Sequence, residues 1–278
     1  MPGRSDGEDL PLGATFGRPL HPHRKSMISR SVHLVIPCFN EEKRLPFAEL
    51  DALLRHEPGL HLAFSDDGSS DGTAARCSDL ACAFPERVLV HVAPKNAGKG
   101  EAVRQGMLAA HQRWPQASYI GYFDADLATP LTEAFHLLGS GSAGAPWIIM
   151  GSRVQLLGST DIKRSTARHY MGRVFATLVS MQLDVPVYDT QCGAKLVRAD
   201  QVPALFTEPF LTRWLFDVEL LWRCMALTGR EGLGKVVKEV PLTVWHEMRG
   251  SKVKLSDGIK VPLALMRVAR HYRGRVRT

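Results

Sequence analysis

Tyr119-Ile120-Gly121-Tyr122-Phe123-Asp124-Ala125-Asp126-Leu127-Ala128-Thr129-Pro130 decides how the rest of the chain is read. A short apolar run between Pro115 and Pro130 predicts a buried strand. It ends in two carboxylates spaced i, i+2, and positions two apart share a face of a strand. Asp124 and Asp126 can therefore reach one point beyond the strand end. Two close carboxylates repel unless a cation lies between them, and a hard divalent ion, Mg2+ or Mn2+, suits oxygen ligands. Open α/β sheets bind ligands beyond the carboxyl ends of their strands, so a metal–diphosphate is expected here.

Upstream, Val32-His33-Leu34-Val35-Ile36-Pro37 predicts a first strand, and Cys38-Phe39-Asn40-Glu41-Glu42 a loop into a helix ending near His56. A second strand over 60–65 runs into Asp66-Asp67-Gly68-Ser69-Ser70-Asp71-Gly72-Thr73, where Asp66 suits an Asx-type turn and Asp71 an N-cap. A helix to about Phe84, a third strand over 87–93 and the loop Asn96-Ala97-Gly98-Lys99-Gly100 follow, then a helix to about Arg113. This alternation predicts an α/β fold with a parallel sheet covered by helices on both faces. Three consecutive strands end in polar, Gly-containing loops on one sheet edge, which is the expected nucleotide site.

Downstream, Trp147-Ile148-Ile149-Met150 predicts a strand ending in Gly151-Ser152-Arg153. A helix from about Lys163 to Leu183 carries Arg164, Arg168 and Arg173, either a phosphate clamp or a solvated face. Asp189-Thr190-Gln191-Cys192-Gly193-Ala194-Lys195 is a loop opening another strand, and 215–227 is an apolar helix interrupted by Asp217 and Glu219. Residues 235–246 alternate like one strand, and Arg249-Gly250-Ser251-Lys252 is a loop. A last helix over 257–272 has Ile259, Leu263, Met266 and Ala269 at helical spacing and ends among arginines. Such a helix can lie on an anionic membrane surface or pack as an ordinary solvated helix.

At 278 residues the chain can bury a full core. No run approaches the roughly 20 apolar residues that span a bilayer. Residues 1–30, rich in Pro, Gly and charge, lack the apolar core of a secretory signal and are expected to be a disordered tail. Five cysteines without a CxxC pair suggest a reducing, cytoplasmic setting and neither a zinc site nor a disulfide framework. The net charge of +7 is local: residues 249–278 carry +8 and the remainder sums to −1. No recognised nucleic-acid module accompanies the basic end. The expected organisation is a tail over 1–30, a catalytic domain over 31–248, and a basic loop with an amphipathic helix over 249–278.

Four stretches in order resemble the family 2 glycosyltransferase pattern: Ile36-Pro37-Cys38-Phe39-Asn40-Glu41-Glu42, then 66–73, 96–100, and Asp124-Ala125-Asp126. In the second half, Gly151-Ser152-Arg153, Arg164-Ser165, the 189–195 loop and Arg213-Trp214-Leu215-Phe216-Asp217-Val218-Glu219 resemble dolichyl-phosphate β-glucosyltransferases and their bacterial polyprenyl-phosphate relatives. The resemblance implies a GT-A (Rossmann-like) fold and an inverting transfer from a nucleotide sugar, UDP-glucose favoured, to a polyprenyl phosphate at the membrane surface. It implies that Pro37, Phe39 and Glu41 line the nucleoside pocket, Asp67 accepts a hydrogen bond from the base, and Lys99 approaches the nucleotide. Asp124 and Asp126 would hold ribose and metal–diphosphate, Arg153 with Arg164 or Arg168 the acceptor phosphate, and Arg249 and Lys252 a closing loop. His246 is a candidate third metal ligand. Two positions depart from the family: Leu127 stands where Gly is common, and Ala194 where an aromatic is usual. Eukaryotic members carry an N-terminal membrane helix that has no counterpart in this sequence.

The chemistry fits without the family. Displacement at an anomeric carbon needs a leaving diphosphate neutralised by cations. A lipid phosphate is already an anion and needs arginines, not a base. A hydroxyl acceptor, the alternative, needs a carboxylate within reach, and Asp217 is the first candidate, with Glu219 or Asp189 behind it. A nucleotide-sugar-binding protein without catalysis is the remote third possibility.

Overall fold

The computed structural model describes residues 31–156, 158, 160–163, 166–247 and 257–276. The side chains of 166–168 and 257–260 are not among what it describes. The expected N-terminal tail, Arg164, Arg249 and Lys252 lie outside the described residues.

The chain builds β1 (Val32–Cys38), α1 (Phe47–His56), β2 (Leu60–Asp66), α2 (Thr73–Ala83), β3 (Val88–Val92), α3 (Lys99–Arg113) and β4 (Tyr119–Phe123). It continues with α4 (Glu133–Gly141), β5 (Ile148–Ser152), β6 (Asp161–Lys163), α5 (Thr166–Leu183), β7 (Ala194–Arg198) and α6 (Val202–Phe206). The last elements are α7 (Phe216–Thr228), α8 (Arg230–Val236), β8 (Val237–Pro241), β9 (Val244–His246) and α9 (Asp257–Tyr272). Seven strands form one sheet in the order β3-β2-β1-β4-β7-β5-β8, and β6 and β9 form a small second one. Only β7 runs against its neighbours in the large sheet. The fold is thus α/β with a mostly parallel sheet, as the alternation predicts.

The strand pattern explains the layering. β1 and β2 read as near-continuous apolar runs because both faces of the sheet are covered. On one face Val35, Ile120, Tyr122, Met150 and Val197 pack with α3, α6, α7 and α9. On the other, Leu34, Ile36, Phe64, Phe123 and Leu196 pack with α1, α2 and α4. Gly106 of α3 lets that helix lie directly on the sheet, since a Cβ there would fall 2.4 Å from Val35 and 2.8 Å from Ser65. The strand order reverses between β1 and β4, and the loops after both open at the same edge. A reversal of this kind leaves a crevice for a ligand.

Three expectations change. Residues 235–246 are not one strand: α8 ends at Val236, β8 stops at Pro241 in the large sheet, and β9 joins β6 instead. Proline ends a ladder because it has no N–H to donate. α4, unread in the sequence, covers β5 and β7. The stripe read on α9 lies mostly outward, with Leu263 and Met266 exposed and Ala269 buried, while Leu265, Val268 and Tyr272, not part of it, pack against α7. No helix among the described residues is long and apolar enough to cross a membrane.

Candidate active site at the sheet edge

The loops after β1 and β2 are locked together by short polar side chains. Asn40 takes a left-handed conformation, φ 52°, which Asn tolerates better than most residues. Its Oδ1 accepts from Ser70 N at 2.9 Å, and its own N–H donates to Ser69 Oγ at 2.9 Å. Glu41 N donates to Thr73 Oγ1, and Asp71 accepts from the N–H groups of Thr73 and Glu42. Asp66 accepts from Ser69 N and Ser69 Oγ, closing the expected turn. Gly68 is required here: its φ is 69°, and a Cβ would fall 2.8 Å from the Lys95 carbonyl carbon.

Asp67 is 3% exposed and accepts from Ala97 N at 2.8 Å and Gly98 N at 2.7 Å. Its first task is therefore to hold the 96–98 loop, and a base must share its remaining lone pairs. Phe39 is exposed at the mouth, Pro37 is half-buried, and Glu41 is buried and paired with Arg44 at 3.1 Å.

The fastened 96–98 loop launches α3, and the first residue past it, Lys99, brings its Nζ to 2.5 Å from Asp124 Oδ1. Burial alone would lower the Lys99 pKa, but the carboxylates of Asp124, Asp217 and Asp126 raise it on balance. Burial would raise the Asp124 pKa, and Lys99, followed by Lys195 and Arg153, holds it below the usual carboxylate range. Asp126 differs. Burial and then the neighbouring Asp124 charge push its carboxyl up, and among the described residues only Ala128 N donates to it, at 3.1 Å. Leu127, next in the chain, sits at φ 49°, a left-handed conformation that Gly adopts with less strain.

A second wall faces this pair. Asp124 N donates to Gly193 O at 3.0 Å, and a Cβ on Gly193 would fall 2.0 Å from Asp124 Oδ2. Arg153 Nε and Nη2 grip Asp189 at 2.7 Å each, and Arg153 N adds a bond at 3.0 Å. Glu239 of β8 accepts from the N–H groups of Tyr188 and Asp189. The Arg153 pKa is raised because Asp189, despite the cost of burial, favours its charge. Among the described residues nothing accepts from Arg153 Nη1.

The candidate residues thus divide. Lys99, Asp124, Asp126, Asp67, Arg153 and the β1 loop meet at one edge. His246 does not join the acid pair: its Nε2 lies 2.7 Å from Asp161 on the small sheet, though its N–H donates to Ala128 O. Among the described residues no three acidic, His or Cys side chains gather closely enough to cage a metal. Asp217 is 4% exposed, and its Oδ1 accepts from Lys195 Nζ and Tyr122 Oη, each at 2.6 Å. Asp217, expected as a general base, is thus through Oδ1 the counter-ion of a buried lysine. Glu219 is fully buried and paired with Arg223 at 2.8 Å. Sequence reading gave Lys195, Tyr122 and Glu239 no role. The available signal was a lone lysine inside the otherwise apolar strand Ala194-Lys195-Leu196-Val197.

A mostly parallel sheet whose order reverses beside an acid pair and a lysine is the frame of a GT-A glycosyltransferase. The Glycosyl transferase family 2 model matches residues 33–200, and the chain belongs to that family. It is similar to the dolichyl-phosphate beta-glucosyltransferases of three organisms. One from Trichomonas vaginalis is 33% identical, over 86% of this chain and 71% of the relative. That of Saccharomyces cerevisiae is 32% identical, over 85% and 74%. That of Homo sapiens is 30% identical, over 81% and 70%. Among solved structures, glucosyl-3-phosphoglycerate synthase from Mycobacterium tuberculosis is similar in fold, with a TM-score of 0.59 at 20% identity, over 87% of this chain and 80% of that one. That enzyme was crystallised with Mn2+, UDP-glucose and phosphoglyceric acid.

Proposed function

We propose that this glycosyltransferase moves glucose from UDP-glucose to a polyprenyl phosphate of the dolichyl type, using a divalent metal at Asp124 and Asp126. The observation that carries the reading is the edge itself, where Lys99, Asp124 and Asp126 meet Arg153, and where the buried acid Asp217 is engaged by Lys195. The names of the relatives supply the sugar and the lipid class.

The residues fit a metal by their own chemistry. Asp126 has a raised pKa beside a charged neighbour, so a cation relieves the pair. Two carboxylates suit Mg2+ or Mn2+, which keep places for water and diphosphate oxygens. When bound, the ion draws off negative charge from the departing diphosphate. Lys99 supplies a second positive charge at that point. The acceptor phosphate oxygen attacks the anomeric carbon as the bond to UDP breaks, and an α-linked donor then gives a β-linked product. No proton need be removed, and Arg153 Nη1 is placed to hold the incoming anion.

A membrane-surface location is part of the proposal. α5 carries Ala176, Val179 and Leu183 inward, yet Tyr170, Met171, Val174, Leu178 and Met181 form an outward stripe. A helix apolar on both sides is ordinarily covered on both. Leu263 and Met266 of α9 lie outward as well, with Arg267 and Arg270 exposed beside them, and Gln182 of α5 donates to Leu265 O. This apolar surface with a basic margin suits an anionic bilayer. Deleting α9 is no test, because it helps form the core. Val174→Glu with Leu178→Glu should instead reduce flotation with anionic liposomes, and undiminished flotation would remove this element.

The transfer is tested by incubating UDP-[14C]glucose with a polyprenyl phosphate and partitioning the product into organic solvent. Organic-phase label that depends on the lipid phosphate is expected. Label transferred only to soluble hydroxyl acceptors would favour the alternative.

A further inference from the structure

Lys195 stands on β7 opposite Tyr122 of β4 in the antiparallel ladder. Its side chain is 1% exposed. An ammonium has three hydrogens to donate, and Nζ has a partner for each: Thr190 O at 2.9 Å, Cys192 O at 2.6 Å and Asp217 Oδ1 at 2.6 Å. Tyr122 Oη donates to the same carboxylate oxygen. One buried cation thereby ties two carbonyls of the 189–193 loop to β4 and α7.

The next residue along the chain gives the tie its meaning. Gly193, one past Cys192, supplies the carbonyl that receives Asp124 N, and its Cα lies against the Asp124 carboxylate. The other end of the loop is held by Arg153 and Glu239. Replacing a buried ion pair with apolar packing is often neutral or stabilising, so stability alone is a weak reason to maintain one. A fixed backbone beside a ligating carboxylate is a stronger reason, because outer groups set the orientation of metal ligands.

We propose that Lys195, with Asp217 as its counter-ion, is a positioning residue that seats the 189–193 loop against Asp124 and so sets the aim of the first metal-binding carboxylate. This rests on the reading of Asp124 as a metal–diphosphate ligand.

The test measures binding of UDP by calorimetry with and without Mn2+, alongside the thermal midpoint, in four proteins: the wild type, Asp124→Asn, Lys195→Arg, and Lys195→Met with Asp217→Asn. The double variant removes both charges and leaves Tyr122 an acceptor but strands the Thr190 and Cys192 carbonyls, so its thermal midpoint should fall while the protein still folds. Its Mn2+-dependent UDP affinity should fall by about ten- to a hundredfold, while UDP binding without metal changes by less than about twofold. Lys195→Arg keeps the charge but displaces the donors, and should weaken the metal-dependent binding in a protein that still folds, at a somewhat lower midpoint. If the double variant does not fold, Lys195→Arg decides alone. Mn2+-dependent affinity within about twofold of wild type in a folded variant overturns the positioning role. Mn2+ dependence that survives in Asp124→Asn, or is missing in the wild type, overturns the reading of the site and this proposal with it.

Discussion

On the β1–β3 side of the switch point, Asp66 and Asp71 are held by N–H and O–H groups of their own loop and Asp67 by N–H groups of the next. On the β7 side, Asp189, Asp217 and Glu219 are each held by a buried or half-buried cation: Arg153, Lys195 and Arg223. Neutral dipoles leave a carboxylate its charge, which remains available to a ligand. A cation removes it, and the acid becomes framework. Between the two lie Asp124 and Asp126, one matched to Lys99 and the other with no cation partner among the described residues. Negative charge is therefore left over both on the dipole-held acids and at the acid pair, and at the pair it is crowded, since the Asp124 charge helps push the Asp126 carboxyl up.

The comparison is sharpest where a framework acid is removed. Glu219 accepts from Leu211 N, Arg223 and Tyr272 Oη, joining α7, α9 and the loop before α7. Glu219→Ala strands a buried guanidinium and should cost about 3–5 kcal/mol in urea unfolding. A loss comparable to that of an exposed ion pair, about 0–1 kcal/mol, would break the distinction. On the dipole-held side, Asp67→Ala removes the acceptor of two N–H groups and should cost roughly 2–3 kcal/mol. It should weaken UDP binding as well, which Glu219→Ala in its folded fraction should not.

A smaller effect is expected far from the edge. His33 is buried with Nδ1 unpaired, stacks on His61 at 4.4 Å, and has its pKa lowered to about 4 by burial and by His61. Between pH 6.5 and about 4 the unfolded chain binds a proton that the native one refuses. Stability therefore falls as pH falls through that window, by on the order of 2 kcal/mol from pH 7 to pH 5. His33→Phe should flatten most of that slope in urea titrations, and an unchanged slope would place its origin elsewhere. Smallest of all, Leu127→Gly relieves a left-handed leucine but gives up its side-chain packing. The two terms are each about 1–2 kcal/mol and opposite in sign, so the thermal midpoint should move little.

The same division explains what could be read from the chain. The first four strands, their helices and the three loops at their ends follow from local pattern: apolar runs, Gly and Asp turns, helical periodicity. Each such loop is closed by residues near in sequence or by the next crossover. The second half is closed by pairs far apart in the chain. Tyr122 finds Asp217 across 95 positions, and Arg153 finds Asp189 across 36. No periodicity announces such pairings. β7 slips between β4 and β5 as an antiparallel strand, which no alternation of strand and helix predicts. The lysine that Asp217 meets lies on another element, and nothing in its own apolar helix points to it. His246 looked like a ligand because it ends a strand, yet its Nε2 meets Asp161 of the small sheet.

The leftover charge at the acid pair is tested most directly by the thermal midpoint with UDP, with Mn2+, with both, and with both plus EDTA, in the wild type and in Asp126→Ala. A ligand that binds only the native state at a hundred times its Kd stabilises by about 2.7 kcal/mol. The wild type should show a large rise only with UDP and Mn2+ together, reversed by EDTA, and Asp126→Ala should show little. An equal rise from UDP in EDTA, or in Asp126→Ala, would contradict a metal–diphosphate held by these two carboxylates.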